Sequence, residues 1–381
     1  MLLKADLKKK IIILRTDYNV PIKNNIITST KRIDESLKTI KYIISQQPKQ
    51  IIIISHLGRP KINDKKLSLL PIKEYLENKL EENIYFAKNF ENITDQKIIM
   101  LENIRFHPEE TKILPSTNDF RNKLTNLGDI YINDAFGCSH REHSSIVGIN
   151  CKEKYIGFLV EKEVKYLKNV FNKDGIYTLI LGGSKVNDKI KLIKNLIPKI
   201  DNILIGGGMI FTFLKYLGYN TGSSLIDEEG LSYIEDIINY AELNGTKLIY
   251  PIDFICNDNF SNKGNIQNFK LRDGIPKSHM GLDIGNKSIN IFKEILSCSN
   301  TIIWNGPLGV FEMSNFSIGS KEIMEHISNL SNVTAIIGGG DTALCCEMFN
   351  CDKKVTHVST GGGAALEMLE GGELPGIKFI T

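Results

Sequence analysis

In the first half of the sequence, basic side chains recur shortly after runs of apolar residues. The runs cover residues 11–14, 51–54, 97–101 and 129–133. The basic residues that follow them, together with Arg32 just before an amphipathic segment, are His56, Arg59, Arg105, His140 and Arg141. Guanidinium groups bind carboxylate and phosphate groups through paired hydrogen bonds. One such arginine is more simply explained by a surface salt bridge. The whole set, in a chain with a formal charge of only +3, predicts a small ligand with several negative charges.

Glycine-rich stretches hold the equivalent positions in the second half. They lie at 181–190, 204–215, 336–342 and 357–367. Glycine between a strand and a helix allows backbone N–H groups to approach phosphate oxygens, and the helix N-terminus adds a partial positive charge. Glycine also serves tight turns, but four such stretches in one half of the chain favour a site for nucleotide phosphates.

Three charged side chains in these stretches support a nucleotide. Lys185 and Lys189 lie four residues apart at the start of a predicted helix, where like charges repel and cations oppose the helix dipole. An anion between them would offset both effects; two solvated lysines are the alternative. Asp341 follows three glycines and could hold the Mg²⁺ of a magnesium nucleotide. An N-cap role for Asp341 is the other interpretation, and the two are compatible.

The apolar runs predict the elements that position these residues. Five more runs follow in the second half, at 178–181, 202–205, 247–250, 301–304 and 334–337. Continuous apolar runs of this length are typical of strands buried on both faces of a parallel sheet. Amphipathic segments between them, at 33–46, 187–200, 228–244 and 320–330, predict helices. Strands that alternate with helices indicate doubly wound α/β domains.

The predicted strands are too many for one compact sheet, so we expect two domains with a site in each. Ligands of open parallel sheets bind beyond the carboxyl ends of the strands, where the basic and glycine-rich residues lie. The segment 161–171 has helical periodicity and lies midway along the chain, so it predicts a helix between the domains.

Composition and missing motifs exclude several classes. A charge of +3 argues against nucleic acid, and no apolar run is long enough to span a membrane. The N-terminus has no signal-peptide pattern, and seven scattered cysteines without C-x-x-C fit the cytosol. Cys345, Cys346 and Cys351 with His357 could form a metal cluster, but adjacent cysteines in an apolar stretch favour buried packing. P-loop, protein-kinase and G-x-G-x-x-G motifs are absent.

A family resemblance rests on nine motifs in order. They are RTDYNVP, SHLGRP, LENIRFHPEE, DAFGCSHREHSS, LGGSKVNDKI, GGGMIFTFLK, WNGPLGVFE, GGGDT and LEGGELPG. From about residue 11 to the C-terminus the chain resembles the phosphoglycerate kinases. The resemblance implies two doubly wound parallel-sheet, Rossmann-like domains joined by a helix and hinge. Residues 1–155 with 367–381 would bind 3-phosphoglycerate, 156–171 would form the helix, and 172–366 would bind nucleotide.

The activity implied is reversible phosphoryl transfer between ATP and the carboxylate of 3-phosphoglycerate, giving ADP and 1,3-bisphosphoglycerate, in glycolysis and gluconeogenesis. Mg²⁺ would accompany the nucleotide, and the protein would be a cytoplasmic monomer. The positions that match the family's phosphoglycerate-binding residues are Asp17, Tyr18, Asn19, Arg32, His56, Leu57, Gly58, Arg59, Arg105 and Arg141.

The resemblance also implies the nucleotide-binding residues. These are Gly182, Lys185, Lys189, Gly281, Glu312, Gly339, Gly340, Asp341 and Thr342, with Glu312 on the ribose and Asp341 on the metal. Arg32, Lys185, Gly340 and Gly363 would act in the transfer itself. Residues 360–363 would begin a helix that meets the substrates when the domains close.

Three positions depart from the family's usual motifs. Tyr18 replaces phenylalanine or leucine, and Ser184 replaces alanine. Asn286 replaces a proline, and this change predicts a less rigid loop at 283–288.

Two rival functions can be weighed against the same residues. A nicotinamide-dependent dehydrogenase would explain the glycines but not the arginines. Loss of Arg32, Lys185 or Asp341 would favour a non-catalytic nucleotide-binding protein on the same fold, but all three residues are present.

Overall fold

The computed structural model describes residues 2–23, 25–60, 64–171 and 174–381. The chain divides into two compact units. The first unit comprises Met1–Lys165 and Gly372–Thr381, and the second unit comprises Tyr166–Gly371. No helix in the described part of the chain is long and apolar enough to cross a membrane.

The first unit is built on a six-stranded parallel sheet. Its strands are β1 (Ile11–Thr16), β4 (Gln50–Ile54), β5 (Tyr85–Ala87), β6 (Ile98–Leu101), β7 (Ile130–Asp134) and β8 (Glu153–Ile156), in the order β5-β6-β4-β1-β7-β8. A short hairpin joins β2 (Ile22–Lys23) and β3 (Ile26–Ile27). The helices are α1 (Lys31–Ser45), α2 (Leu70–Leu80), α3 (Thr117–Thr125), α4 (Ser144–Val147) and α5 (Phe158–Lys168), and α5 continues into the second unit.

Both faces of this sheet are buried, as the continuous apolar runs predict. Ile51 and Ile53 of β4 pack into one apolar cluster, whereas Ile52 and Ile54 pack into the cluster on the other face. Successive strand side chains point to opposite faces, so a strand covered on both sides needs apolar residues at every position.

The second unit contains a second six-stranded parallel sheet and a separate three-stranded antiparallel sheet. The parallel strands, in spatial order, are β11 (Lys247–Ile249), β10 (Asn202–Ile205), β9 (Tyr177–Leu181), β15 (Thr301–Asn305), β16 (Thr334–Gly338) and β17 (His357–Val358). The antiparallel strands are β12 (Asp253–Asn257), β13 (Gln267–Lys270) and β14 (Met280–Ile284), in the order β13-β12-β14.

Besides the end of α5, the described part of the second unit contains eight α-helices. They are α6 (Ile190–Leu196), α7 (Ile210–Tyr216), α8 (Glu228–Leu231), α9 (Ile234–Leu243), α10 (Asn286–Ser297), α11 (Ile318–Asn329), α12 (Gly340–Met348) and α13 (Gly363–Leu369). The last helix, α14 (Pro375–Lys378), belongs to the first unit, where the Gly376 N–H donates to the Ser139 carbonyl oxygen over 2.8 Å.

The α/β class with parallel sheets is confirmed, and some predicted elements are corrected. The antiparallel sheet was not predicted, because β13 is polar and largely exposed and gives no apolar run. The helix predicted at 187–200 is α only over Ile190–Leu196, and a 3₁₀ turn that contains Pro198 follows it. The helix predicted at 228–244 is two helices, α8 and α9. Cys345, Cys346 and Cys351 are buried free thiols.

Candidate active site

The basic residues of the first unit meet at the carboxyl ends of four neighbouring strands. The sheet order places β6, β4, β1 and β7 side by side. Because parallel strands end at the same edge, the segments that begin at Asp17, Ser55, Glu102 and Ala135 lie next to one another. The Tyr18 N–H donates to Ser55 Oγ over 3.0 Å, and the Asn103 side chain donates to the Leu57 carbonyl oxygen over 2.8 Å.

Asp17 is the centre of the first cluster. Arg32 Nη1 donates to Asp17 Oδ2 over 3.2 Å, and the Asn19 N–H donates to Asp17 Oδ1 over 3.0 Å. Burial of Asp17 alone would raise its pKa. The positive charge of Arg32 and the hydrogen bond from the Asn19 N–H outweigh that effect and lower the pKa to about 2. Asp17 is therefore ionised and holds Arg32, whose side chain remains partly exposed.

Three further predicted residues, Tyr18, Leu57 and Gly58, lie in or beside this cluster. The Gly58 N–H donates to Asn19 Oδ1 over 2.8 Å, so the loops after β1 and β4 are tied together. The side chains of Tyr18 and Leu57 point into the core instead, and the Tyr18 hydroxyl lies 3.0 Å from Ser36 Oγ. The side chains of these two residues therefore pack in the core and do not contribute to the surface of the cluster.

A basic cavity of about 370 Å³ lies beside this cluster. The residues that line it are Arg59, Pro60, Arg105, Thr111, Arg141 and His143. Arg105 Nη1 donates to the Gly58 carbonyl oxygen over 2.7 Å, but the buried Arg105 Nε has no hydrogen-bond partner. His143 Nδ1 and His140 Nδ1 are also buried without a hydrogen bond. Buried polar atoms without partners are rare in folded proteins, so this cavity is suited to an anion that supplies acceptors.

Sequence analysis missed three residues here, namely Arg15, Thr111 and His143. Burial and the nearby charges of Arg105, Arg15 and Arg141 lower the pKa of His143 to about 3, so its imidazole is neutral. Arg15 is the last but one residue of β1 and is completely buried. Its motif RTDYNVP was noted in the sequence, but nothing local indicates whether a strand arginine points toward the site or toward solvent.

In the second unit, the glycine-rich loops follow β9, β10 and β16 and contact the loop after β15. The Gly182 N–H donates to the Asn305 carbonyl oxygen over 3.0 Å and the Gly183 N–H to the Pro307 carbonyl oxygen over 2.9 Å. The Gly207 N–H donates to the Leu308 carbonyl oxygen over 2.9 Å. The N–H groups of Gly182, Gly183 and Gly207 are therefore already bonded within the protein, and phosphate binding by the loops after β9 and β10 stays a prediction. Their glycines allow three backbones to pack closely.

Lys185 and Lys189 occupy different environments. Lys185 is exposed, whereas Lys189 is partly buried and its Nζ bonds to the side-chain and carbonyl oxygens of Asn305. Burial lowers the pKa of Lys189 to about 8, and the opposite effects of Asp341 and Asp188 are smaller. The Lys189 ammonium group is therefore stabilised by Asn305 within the protein, whereas the Lys185 side chain is exposed to solvent.

The helix α12 begins directly after the glycine-rich loop that follows β16. The helix begins at Gly340 after Gly339, which has a φ of 91° that favours glycine. Asp341 is exposed and lies inside the first turn, so its interpretation as an N-cap is wrong: the N-cap is Gly339. The Thr342 hydroxyl is buried and accepts the Gly306 N–H over 2.7 Å, which fixes the helix start to the loop after β15. The first N–H groups of a helix have no intrahelical acceptor.

The remaining predicted residues lie at the edges of these loops. Gly281 is buried in β14, where a β-carbon would lie 2.1 Å from Phe211. Glu312 is exposed in the loop after β15, which is held to β14 by the Val310 N–H donating to the Leu282 carbonyl oxygen over 2.9 Å. Gly363 is exposed and begins α13.

Comparison with known proteins decides the family. The phosphoglycerate kinase family model matches residues 2–372. The chain belongs to the phosphoglycerate kinase family. It is 45% identical over 405 residues to the phosphoglycerate kinase of Dictyostelium discoideum, which covers 99% of this chain and 96% of the relative. It is also 45% identical over 393 residues to that of Thermosipho africanus, with 99% of this chain and 96% of the relative covered.

Solved structures of the family have the same fold. The phosphoglycerate kinase of Coxiella burnetii superimposes with a TM-score of 0.88 at 33% identity, over 100% of this chain and 98% of the other. The enzyme of Pyrococcus horikoshii gives 0.83 at 28% identity, over 100% and 98% respectively.

Proposed function

We propose that this protein is a phosphoglycerate kinase that reversibly transfers a phosphoryl group between ATP and the carboxylate of 3-phosphoglycerate, in glycolysis and gluconeogenesis. The products of the forward reaction are ADP and 1,3-bisphosphoglycerate. The proposal rests on two features that occur together in one member of this family. The first unit has a basic cavity in which the buried Arg105 Nε has no hydrogen-bond partner, and the second unit has the N-terminus of α12 near Lys189.

The first unit is proposed to bind phosphoglycerate. Arg59, Arg105 and Arg141 line the cavity with three guanidinium groups and suit a phosphate, which accepts bidentate hydrogen bonds. Asp17, Asn19, Arg32 and His56 lie at the neighbouring strand ends, and backbone groups of Tyr18, Leu57 and Gly58 complete this surface. Arg32 remains partly exposed, so it can contact a ligand while Asp17 holds its orientation.

The second unit is proposed to bind ATP or ADP. Lys185, Lys189 and the first N–H groups of α12 would contact the phosphates, and Glu312 would contact the ribose. Gly182 and Gly281 shape this site by close packing, Gly339 allows the turn before α12, and the Thr342 hydroxyl ties α12 to the loop after β15.

Mg²⁺ is proposed to accompany the nucleotide. Mg²⁺ is usually held by one or two carboxylates together with water and substrate phosphates, and the exposed Asp341 at the start of α12 fits that requirement. The ion would neutralise charge on the nucleotide phosphates during transfer.

Transfer itself needs positioning and charge stabilisation more than proton transfer. The attacking carboxylate of 3-phosphoglycerate is ionised at neutral pH, so no general base is needed. Arg32 and Lys185 are proposed to stabilise the moving phosphoryl group, with Gly340 and Gly363 offering N–H groups at helix starts. Seven free cysteines fit the reducing cytoplasm, and we propose a monomer.

A coupled assay tests the function directly. Purified protein with ATP, Mg²⁺ and 3-phosphoglycerate is expected to form 1,3-bisphosphoglycerate, which glyceraldehyde-3-phosphate dehydrogenase consumes with loss of NADH absorbance. Omission of any one of the three should abolish the signal. Well-folded protein that binds ATP but gives no turnover would instead support the second candidate, a non-catalytic nucleotide-binding protein on this fold.

A further inference from the structure

Arg15 is a fully buried arginine beneath the proposed phosphoglycerate site. A buried guanidinium must be paired or hydrogen-bonded, because the cost of desolvating a charge is large. Arg15 Nε donates to Ser145 Oγ over 2.7 Å, and Nη1 donates to the Thr16 carbonyl oxygen. Its Nη2 lies 3.7 Å from Glu110 Oε1 and 3.4 Å from His56 Nδ1. Arg15 therefore connects a buried carboxylate to a histidine of the site.

Glu110 is the buried carboxylate that faces Arg15. Its carboxyl is buried and accepts the Ser145 hydroxyl over 2.7 Å and the Ser145 N–H over 2.8 Å. Glu110 therefore has one orientation, in which Oε1 faces both Ser145 and Arg15. Buried polar networks with their members satisfied are rigid, and this one joins β1, the segment after β6 and the helix α4.

The contact with Arg15 determines the tautomer of His56. Arginine carries only donors, so a hydrogen bond from Arg15 Nη2 requires an unprotonated, accepting His56 Nδ1. In the neutral imidazole the proton then lies on Nε2. His56 Nε2 lies 3.8 Å from Asp17 Oδ1, on the carboxylate that also holds Arg32, whereas Cys138 Sγ lies 3.8 Å from both ring nitrogens. Burial of His56 lowers its pKa well below the ordinary value, which agrees with a neutral ring.

We propose that Arg15 and Glu110 are positioning residues that hold His56 as the neutral Nε2–H tautomer, so that His56 donates a hydrogen bond to a carboxylate or phosphate oxygen of phosphoglycerate. The proposal rests on the proposed function for the identity of the ligand, but not for the tautomer. Arg32, Arg59, Arg105 and Arg141 already supply the positive charge. A neutral donor in one orientation adds directional selectivity that another cation would not.

The tautomer can be measured without any activity. The chain contains seven histidines, so a long-range ¹H–¹⁵N spectrum of the full-length protein labelled at the histidine nitrogens has few signals. Comparison with His56→Gln assigns the His56 resonances. The expected result is the cross-peak pattern of a neutral Nε2–H ring between pH 6 and 8. A neutral Nδ1–H ring or an imidazolium in that range would overturn the proposal.

Two amide substitutions of His56 test which nitrogen the ligand needs. The glutamine side chain places its amide near the Nε2 position, whereas the asparagine amide reaches only the Nδ1 position. His56→Asn is expected to raise the KM for 3-phosphoglycerate by roughly 10- to 100-fold, the scale of one hydrogen bond to a charged group, and His56→Gln is expected to raise it by a clearly smaller factor. Equal losses in both variants would contradict the donor role of Nε2.

Substitution of the positioning residues tests the connection through Arg15. Arg15→Gln and Glu110→Gln are each expected to raise the KM for 3-phosphoglycerate about tenfold while the KM for ATP changes less than twofold. Arg15→Gln should also populate the Nδ1–H tautomer of His56. Arg121→Gln is the matched control, because Arg121 bonds the adjacent Ser144 and the described contacts of His56 do not include it.

Two outcomes would separate the proposals from each other. If the wild-type protein has no kinase activity but shows the Nε2–H ring, the proposed function fails and the tautomer assignment stands. If Arg15→Gln is active with unchanged KM values and an unchanged His56 spectrum, the positioning role fails and the function stands. Should Arg15→Gln not fold, the wild-type spectrum and the two His56 variants still decide the tautomer and the donor.

Discussion

At the scale of single residues, Arg32 shows how one side chain can be both ordered and available. Asp17 is ionised and buried, and it holds Arg32 through a 3.2 Å hydrogen bond while part of the guanidinium stays exposed. The Asn19 carbonyl oxygen accepts from the same Nη1 atom over 3.2 Å. A guanidinium that is oriented before the ligand arrives needs little rearrangement when charge develops on a phosphoryl group.

Arg32→Ala is therefore expected to lower kcat by on the order of 10²–10³, the scale of one preorganised electrostatic donor. The measurement is steady-state turnover in the coupled assay at saturating ATP and 3-phosphoglycerate. Lys41→Ala serves as the control, because it removes an exposed cation from the same helix, α1. Near-normal kcat in Arg32→Ala would refute a role for Arg32 in transfer.

At the scale of elements, the second unit is organised by loops that pack backbone against backbone. A β-carbon on Gly182 would lie 2.0 Å from the Pro307 carbonyl oxygen, so the loops after β9 and β15 can approach only because glycine stands there. Gly340 differs, since a β-carbon there would meet no atom within 4 Å. Both glycines are predicted to contact the nucleotide, but a side chain would clash with the protein only at Gly182.

Gly182→Ala and Gly340→Ala should consequently separate packing from ligand approach. We expect Gly182→Ala to lower the free energy of unfolding by on the order of 3 kcal/mol, because the backbone must shift. Gly340→Ala should keep the thermal midpoint or raise it, since alanine is favoured over glycine in a helix by about 1 kcal/mol. Its turnover should nevertheless fall, because the β-carbon would occupy the path of the phosphates. Unchanged turnover in Gly340→Ala would argue against phosphate contact at the start of α12.

The start of α5 provides a pH test of another element. Asp134 Oδ1 accepts the N–H groups of Leu159 and Val160 over 2.9 and 3.4 Å, while the buried Oδ2 has no hydrogen-bond partner. Burial is the main reason that the pKa of Asp134 is raised from 3.8 to about 6. The folded state keeps this proton to a higher pH than the unfolded state does. Stability from this group is therefore present below pH 4 and is lost as the pH rises to about 6.

Asp134→Asn should remove that pH dependence, because the amide keeps an acceptor for α5 and cannot ionise. Between pH 4 and pH 7, the stability of the variant relative to wild type is expected to rise by about 3 kcal/mol, the equivalent of roughly two pKa units. Thermal unfolding of both proteins across this range measures the difference. Asp119→Asn, at an exposed position of α3, is the control. A difference that does not vary with pH would contradict the raised pKa.

At the scale of the whole molecule, each unit carries one of the two proposed sites, and the end of the chain returns to the first unit. The Asn133 side chain donates to the Gly376 carbonyl oxygen over 3.3 Å, and Lys154 Nζ lies 4.1 Å from the centre of the Phe379 ring. The phosphoryl group must pass from a nucleotide on one unit to a ligand on the other. Exclusion of water during that step would also protect ATP from hydrolysis.

Small-angle scattering should detect the approach of the units. We expect the radius of gyration to decrease when 3-phosphoglycerate and a non-hydrolysable ATP analogue with Mg²⁺ are both bound, because closure of domains around substrates commonly precedes transfer. Each ligand alone should give a smaller change. An unchanged radius with both sites demonstrably saturated would rule out hinge closure in this protein.

Local patterns in the sequence determined a large part of this protein. Apolar runs specified the parallel strands, because a strand buried on both faces needs apolar residues throughout. Ligand-binding residues could then be assigned to strand ends, since parallel strands share one edge. The pairing of Arg15 with Ser145 joins residues 130 positions apart, so only the tertiary structure could decide it. The same holds for the glycine N–H groups that donate to neighbouring loops, because hydrogen-bond partners are chosen by packing rather than by local sequence.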